Sequence, residues 1–312
     1  MTFFSGRRIF LTGGNGFLGR VIRQQLESRD PAAILAPRAT ELDLRDASAI
    51  RTFLREQKPD VIIHGAAVVG GIGANQDSPG RFFYENAVMG IHLIEEARLA
   101  GVEKFVCIGT VCAYPKFTPT PFHEDDLWNG YPEETNAPYG LAKKMLLAQL
   151  QAYRAEYGFN GVFLLPANLY GPGDNFDPRT SHVIPALIRK FDEALRSGAS
   201  HVDLWGDGTP TREFLYVDDA ADGVLTAAER YESDLPLNLG TGDERTIAQV
   251  AKEIAARTGF TGEIHWDASK PNGQPRRKLD TSRAESEIGW HATTPFEVGL
   301  QRTIDWWRSA RA

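Results

Sequence analysis

The sequence predicts an α/β chain, a doubly wound parallel sheet with a second, smaller α/β lobe. Three observations point there. Short, continuously apolar runs alternate with longer helical patterns as far as about residue 170. A glycine-rich turn follows the first of those runs directly. After Tyr170 the texture becomes Gly-, Pro- and Asp-rich, in "GPGDNFDPRTS", before helical patterns resume.

Five runs read as buried strands: "RIFLTG" (Arg8–Gly13), "AILA" (Ala33–Ala36), "DVIIHGAA" (Asp60–Ala67), "KFVCIG" (Lys104–Gly109) and "GVFLLPA" (Gly161–Ala167). They do not alternate apolar with polar, so both of their faces are covered, as in a parallel sheet flanked by helices. Helices are expected near 17–28, 47–57, 80–100 and 138–158. Right-handed crossovers then wind the sheet in both directions, and ligands bind at the carboxyl ends of its strands. Further helices are expected near 181–197, 218–230, 246–258 and 295–310, with short strands between. The expected division is a dinucleotide-binding domain over 1–170 and a mainly substrate-binding lobe over 171–312. A segment near 213–240 returns to the first domain.

The composition narrows the function classes. The chain has 312 residues, 42% hydrophobic and 24% charged, enough for a large core. A net charge of −7 argues against a nucleic-acid backbone as partner. No apolar run approaches the ~20 residues that span a bilayer, and the N-terminus lacks the basic start of a signal peptide. Two cysteines provide neither a disulfide framework nor a structural zinc site, so a reducing, cytoplasmic compartment is expected. The seven histidines show no metal-ligand spacing, and no metal is expected.

"LTGGNGFLG" places Gly13, Gly16 and Gly19 between the first strand and the first helix. Such a turn lets backbone amides and a helix N-terminus meet a pyrophosphate. The second strand ends in "AILAPRAT", with Arg38 where an acidic residue would hold an NAD ribose. A cation there suits a 2′-phosphate and favours NADP; a solvated surface charge is the alternative. "ELDLRD" puts Leu42, Asp43 and Leu44 near an adenine, although Asp43 equally suits a turn cap.

"NAPYGLAKK" carries Tyr139 and Lys143 at i, i+4 on one helix face. A phenol has a pKa of about 10, and an ammonium one turn away brings it toward neutrality. Gly109 and Thr110 follow the fourth strand, where the Thr110 hydroxyl can bond the oxygen that Tyr139 protonates. Cys112, two residues further on, faces the mouth of the pocket; an isolated cysteine is also a common buried filler. Cys107, inside the strand, is filler, and His64 in "VIIHGAA" is structural. His182 reads as a cap or solvated residue from position alone. Arg212 suits a pyrophosphate because guanidinium binds phosphate oxygens in pairs, or it pairs with a nearby carboxylate. Trp205 suits nucleotide packing or a core, and Asp280 a nucleotide contact or a helix cap.

The glycine turn, "HGAA", the threonine after the fourth strand and Tyr-x-x-x-Lys, in that order, resemble the extended branch of the short-chain dehydrogenase/reductase superfamily, a Rossmann fold. Longer stretches narrow the likeness. "AAVVGGIGAN", "CAYPK", "PANLYGPGDNFDP", "SHVIPALIRKF", "WGDGTPTREFLYVDD", "NLGTG" and "DASKPNGQPRRKLD" resemble the GDP-L-fucose synthases across essentially the whole chain.

That resemblance implies an NADPH-dependent bifunctional 3,5-epimerase/4-reductase converting GDP-4-keto-6-deoxy-D-mannose to GDP-L-fucose, as a homodimer built through the helices near 80–100 and 138–158. The alternative is a 4-epimerase or 4-ketoreductase acting on a different nucleotide-linked 4-keto-6-deoxy sugar. It implies Tyr139, Lys143 and Thr110 for reduction, and Cys112 and His182 as the epimerising base and acid. Asn15, Phe17, Leu18, Ala66, Ala67, Gly109 and His182 join the cofactor set, with Pro166, Asn168 and Leu169 along the nicotinamide. Asn168, Lys190, Trp205, Arg212 and Asp280 hold the GDP-sugar. Three positions depart from the family pattern: Thr110 replaces a common Ser, Lys190 an Arg, and Asn15 an Arg found in some relatives. The chemistry suits these residue types. A 4-ketone acidifies the hydrogens on C3 and C5, and inverting each centre takes a base on one face and a proton donor on the other.

Overall fold

The computed structural model of the chain describes residues 2–270 and 272–311. Its strands are β1 (Arg8–Thr12), β2 (Ala33–Leu35), β3 (Val61–His64), β4 (Lys104–Ile108), β5 (Gly161–Pro166), β6 (Asn168–Tyr170), β7 (His201–Trp205), β8 (Thr211–Tyr216), β9 (Leu237–Leu239), β10 (Glu244–Thr246) and β11 (Glu263–Asp267). Its helices are α1 (Phe17–Glu27), α2 (Ala47–Gln57), α3 (Ile72–Asp77), α4 (Pro79–Leu99), α5 (Ala137–Tyr157), α6 (Val183–Ser197), α7 (Val217–Arg230), α8 (Ile247–Thr258), α9 (Ser282–Ile288) and α10 (Phe296–Ser309).

The apolar runs become the central strands of one parallel sheet, ordered β2-β1-β3-β4-β5-β9. β3, β4 and β5 are buried at every position, because α helices cover both faces. Each observed strand stops one to three residues before its apolar run does. The run "DVIIHGAA" leaves the sheet after His64, and Gly65, Ala66 and Ala67 line a cavity instead. The winding reverses between β1 and β3, the crevice where doubly wound sheets take their ligands. α1 is amphipathic: Ile22 and Leu26 face inward while Arg20 and Arg23 stay outside. α3 escapes sequence reading, since six residues carry too little periodicity.

The later chain divides its apolar side chains between two clusters. β9 pairs with β5, and α7 packs on α1, so Leu237, Leu239, Val224 and Ala228 join the large sheet core. A smaller cluster gathers Ile188, Phe191, Phe214, Val250, Ile254 and Leu300 from α6, β8, α8 and α10. Two small sheets serve this second cluster, β10-β8-β6 and the parallel pair β11-β7. Among the described residues no helix is long and apolar enough to cross a membrane.

Candidate active site

A single cavity of about 1140 Å³ opens at the carboxyl ends of the sheet and reaches α6, β7 and the loop carrying Gln274 and Arg277. That exceeds the space usual for one small ligand and suits two side by side. Every residue singled out above for catalysis or binding lines it except Asp280.

The floor is the glycine turn. Gly13 has φ +72°, a left-handed conformation costly for other residues, and a Cβ on Gly19 would sit 2.0 Å from the Gly13 carbonyl oxygen. The close approach holds α1 against β1 and aims its N-terminus into the cavity. No side chain caps that N-terminus, so its amides remain available to an anion. Asn15 donates to the Ala36 carbonyl at 3.0 Å, tying the turn to the end of β2. Arg38 is exposed at the rim, its backbone N–H bonded to Glu41 and its guanidinium lining the cavity. Asp43 forms the turn: it accepts from the backbone and guanidinium of Arg45, which holds its carboxyl well below the usual range. The residues fit a dinucleotide with a 2′-phosphate: a glycine cradle a Cβ would fill, an uncapped helix N-terminus and a cation past β2.

Above the floor, Thr110 leaves β4 in extended conformation and its hydroxyl accepts from the Cys112 N–H at 3.2 Å, shaping a short 3-10 turn over Val111–Ala113. Gly140 lets α5 press on that turn, since a Cβ there would lie 2.4 Å from the Cys112 carbonyl oxygen. The contact brings Tyr139 beside Thr110, which hydrogen-bonds the phenol. Burial raises the Tyr139 pKa far above 10, the nearby Cys112 charge raises it further, and the Thr110 bond opposes both. Burial lowers the pKa of Lys143, whose charge acts on Cys107 and His64. Desolvation of the pocket thus opposes the lowering expected from the Lys143 ammonium one turn away. Cys107 is fully buried, with its thiol pushed up to about 11 by burial, consistent with filler. His64 is buried too, its Nδ1 2.8 Å from the Thr12 hydroxyl.

The opposite wall comes from the second half of the chain. His182 stands just before α6 but makes no capping bond, so its ring is free to face the cavity. Its ring is exposed to the cavity, yet the surrounding walls strip part of its hydration, and this, with the Arg277 charge second, lowers its pKa below 6.5 and favours neutral imidazole. Arg212 is bonded to two backbone carbonyls, Thr211 at 2.7 Å and Gln274 at 2.6 Å, rather than to a carboxylate. Burial and Arg277 together pull it down to about 9. Two guanidinium groups side by side thus face the cavity, a demand for an anion. Lys190 Nζ donates to the Asp203 carbonyl at 2.7 Å, and Trp205 is 61% exposed at the mouth, not a core residue. Asn168 donates to the Glu213 carbonyl, turning β6 along β8.

Two findings revise the sequence reading. Asp280 lies off the cavity lining, and its carboxylate accepts from the Ser282 backbone and hydroxyl in the turn entering α9. Arg277, from the same "QPRRKLD" stretch, donates to Cys112 Sγ at 3.5 Å and is held by Gln274 at 3.1 Å. Sequence spacing offers no signal for it, because the contact joins positions 165 apart.

The NAD dependent epimerase/dehydratase family model matches residues 9–240. The GDP-L-fucose synthase of Escherichia coli (strain K12) is 39% identical over 311 residues, covering 97% of this chain and 97% of that protein. The GDP-L-colitose synthase of Yersinia pseudotuberculosis is 38% identical over 303 residues, 96% of this chain and 97% of that one. A solved GDP-L-fucose synthetase from Naegleria fowleri bound to NADP superposes with a TM-score of 0.90 at 28% identity, covering 100% of this chain and 97% of that one. With the glycine turn, the Tyr139–Lys143 helix and this likeness across nearly its full length, the chain belongs to the NAD dependent epimerase/dehydratase family, on the branch that holds the GDP-L-fucose synthases.

Proposed function

We propose that the chain is an NADPH-dependent 3,5-epimerase/4-reductase that converts GDP-4-keto-6-deoxy-D-mannose to GDP-L-fucose. The observation that carries the reading is the meeting of Cys112 and His182, from different halves of the chain, in the cavity that also holds Tyr139, Lys143 and Thr110. Reduction alone needs only the last three.

The residues act in sequence. Thr110 and Tyr139 hydrogen-bond the C4 carbonyl oxygen, so removing a proton from C3 or C5 leaves an enolate whose charge they share. Cys112 and His182 exchange those protons, one abstracting and the other returning a proton on the opposite face. Arg277 gives the Cys112 sulfur a charged hydrogen-bond donor, the electropositive setting in which reactive cysteines operate. His182, kept neutral, can first accept a proton and then donate it. Bound NADPH supplies the hydride to C4. Tyr139 then gives its phenolic proton to the C4 oxygen, and Lys143 orients the cofactor ribose. Arg212, with Arg277 beside it, receives the diphosphate, and Trp205 and Lys190 border the base.

The division of labour assigns residues 1–170 with a return near 213–240 to the cofactor and 171–312 mainly to the sugar nucleotide; the two apolar clusters support it. We assign a cytoplasmic setting from the two free thiols. A homodimer through α4 and α5 is supported by the exposed Phe83, Tyr84, Leu99, Met145 and Tyr157 on those helices. Light scattering should give twice the monomer mass.

Incubation with the GDP-keto-sugar and NADPH in deuterated water should place deuterium at C3 and C5 of the product while NADPH is consumed. Protons retained at both carbons would remove the epimerase activity from the reading. The likeness to a GDP-L-colitose synthase favours one second reading, action on a different GDP-linked 4-keto-6-deoxy sugar. Competition between the two keto-sugars decides between them.

A further inference from the structure

Outside the cavity, the outer face of the β7–β11 ribbon gathers three metal-ligating side chains. β7 alternates exposed and buried residues and so presents His201, Asp203 and Trp205 to solvent. β11 runs parallel beside it in a register that sets Asp203 opposite His265 and His201 opposite Glu263. One donor atom from each of His201, Asp203 and His265 lies within 4.8 Å of the other two.

The orientation of the rings points to a cation. His265 presents Nδ1 to one Asp203 oxygen at 3.8 Å, while its Nε2 is bonded to the Glu263 carboxylate at 2.9 Å. His201 presents Nε2 to the other Asp203 oxygen at 3.8 Å, while its Nδ1 is bonded to the Ser200 hydroxyl at 3.2 Å. Each imidazole therefore has its outer nitrogen engaged and its inner nitrogen aimed at the same carboxylate. Carboxylate or hydroxyl on the far nitrogen is the arrangement that fixes the tautomer of a metal-bound histidine. With the protons on the outer nitrogens, three acceptors converge. The two rings are stacked, centroids 4.6 Å apart and 22° from parallel, so their inner edges lie side by side next to Asp203.

We propose that His201, Asp203 and His265 form a solvent-facing site for a divalent transition metal of the zinc class, with Glu263 and Ser200 as outer partners and water completing the shell. Imidazole and carboxylate donors suit zinc, whose tetrahedral ligands stand about 3.3 Å apart. The donors now lie within 4.8 Å of one another, so binding requires these three exposed side chains to turn inward. The ion would clip two five-residue strands together. It would also steady the strand that carries Trp205 and the carbonyl receiving Lys190 at the cavity mouth.

The test is a calorimetric titration of the metal-stripped full chain with zinc chloride, followed by thermal melts with and without zinc. One equivalent should bind in the micromolar range and raise the Tm. His265→Ala and Asp203→Asn, both at exposed positions, should weaken binding at least tenfold and abolish the Tm rise. Cys112→Ser, which removes the one free thiol that is not buried, should bind as the parent does. Undiminished binding by His265→Ala, loss of binding in Cys112→Ser, or no binding by the parent would each overturn the site.

Discussion

The two walls of the cavity do comparable work with different materials. The cofactor wall is backbone: a left-handed Gly13, a Gly19 that admits no Cβ, and helix amides with no side-chain cap. The sugar wall is side chain: Arg212, Arg277, Lys190, Trp205 and His182, projecting from β7, β8, α6 and its entry, and a loop. A backbone wall is specified by residues adjacent in the chain and fails when one atom is added. A side-chain wall is assembled from distant segments and fails in proportion to the charge or hydroxyl removed. Tyr139 and Cys112 stand where the walls meet.

That contrast can be broken in order of expected effect. Tyr139→Phe removes the proton donor for C4 and should cut the reduction rate about 10³-fold. Deuterium exchange at C3 should survive better than reduction, and equal losses in both would mean that one residue serves both steps. Gly19→Ala forces a Cβ to 2.0 Å from the Gly13 oxygen. It should cost about 3 kcal/mol in urea denaturation and abolish NADPH binding, whereas a stable variant of normal affinity would show that the turn gives freely. Arg38→Ala, at the exposed rim, should leave folding intact and raise the KM for NADPH about tenfold, with NADH unaffected. Parallel losses for both nucleotides would assign Arg38 a role other than the 2′-phosphate.

The smallest effect concerns Asp174, a cavity residue whose carboxyl is pushed up to about 7, mainly by burial. One of its oxygens has no partner. Its folded pKa lies above the 3.8 of the ordinary group, so the folded state favours the protonated form. The favourable contribution is full below 3.8 and is lost as pH rises through about 7. Asp174→Asn should therefore flatten the stability profile across that window and gain relative to the parent at pH 8. An unchanged slope would place the titration elsewhere.

The backbone wall is legible in the sequence, because Gly13, Gly16 and Gly19 lie within seven positions of one another and Tyr139 and Lys143 one helical turn apart. Local spacing fixes local geometry. The side-chain wall is legible mainly through family likeness, and neither that likeness nor local spacing singles out Arg277. The reason is register: nothing between residues 112 and 277 states that a loop returns to the 3-10 turn after β4. The stacking of His201 on His265 is hidden in the same way, since it depends on how β7 lies along β11. The Tyr139 phenol misleads for another reason, because i, i+4 spacing announces the ammonium but not the depth of burial that opposes it.

The central claim is that one cavity runs two chemistries on separate groups, proton exchange on Cys112 and carbonyl reduction on Tyr139. Cys112→Ser in deuterated water, with NADPH consumption and isotope content read from the same sample, tests it most directly. The account predicts that NADPH oxidation persists while deuterium at C3 and C5 falls about a hundredfold and an unepimerised alcohol accumulates. Exchange at the parent rate in that variant would contradict it.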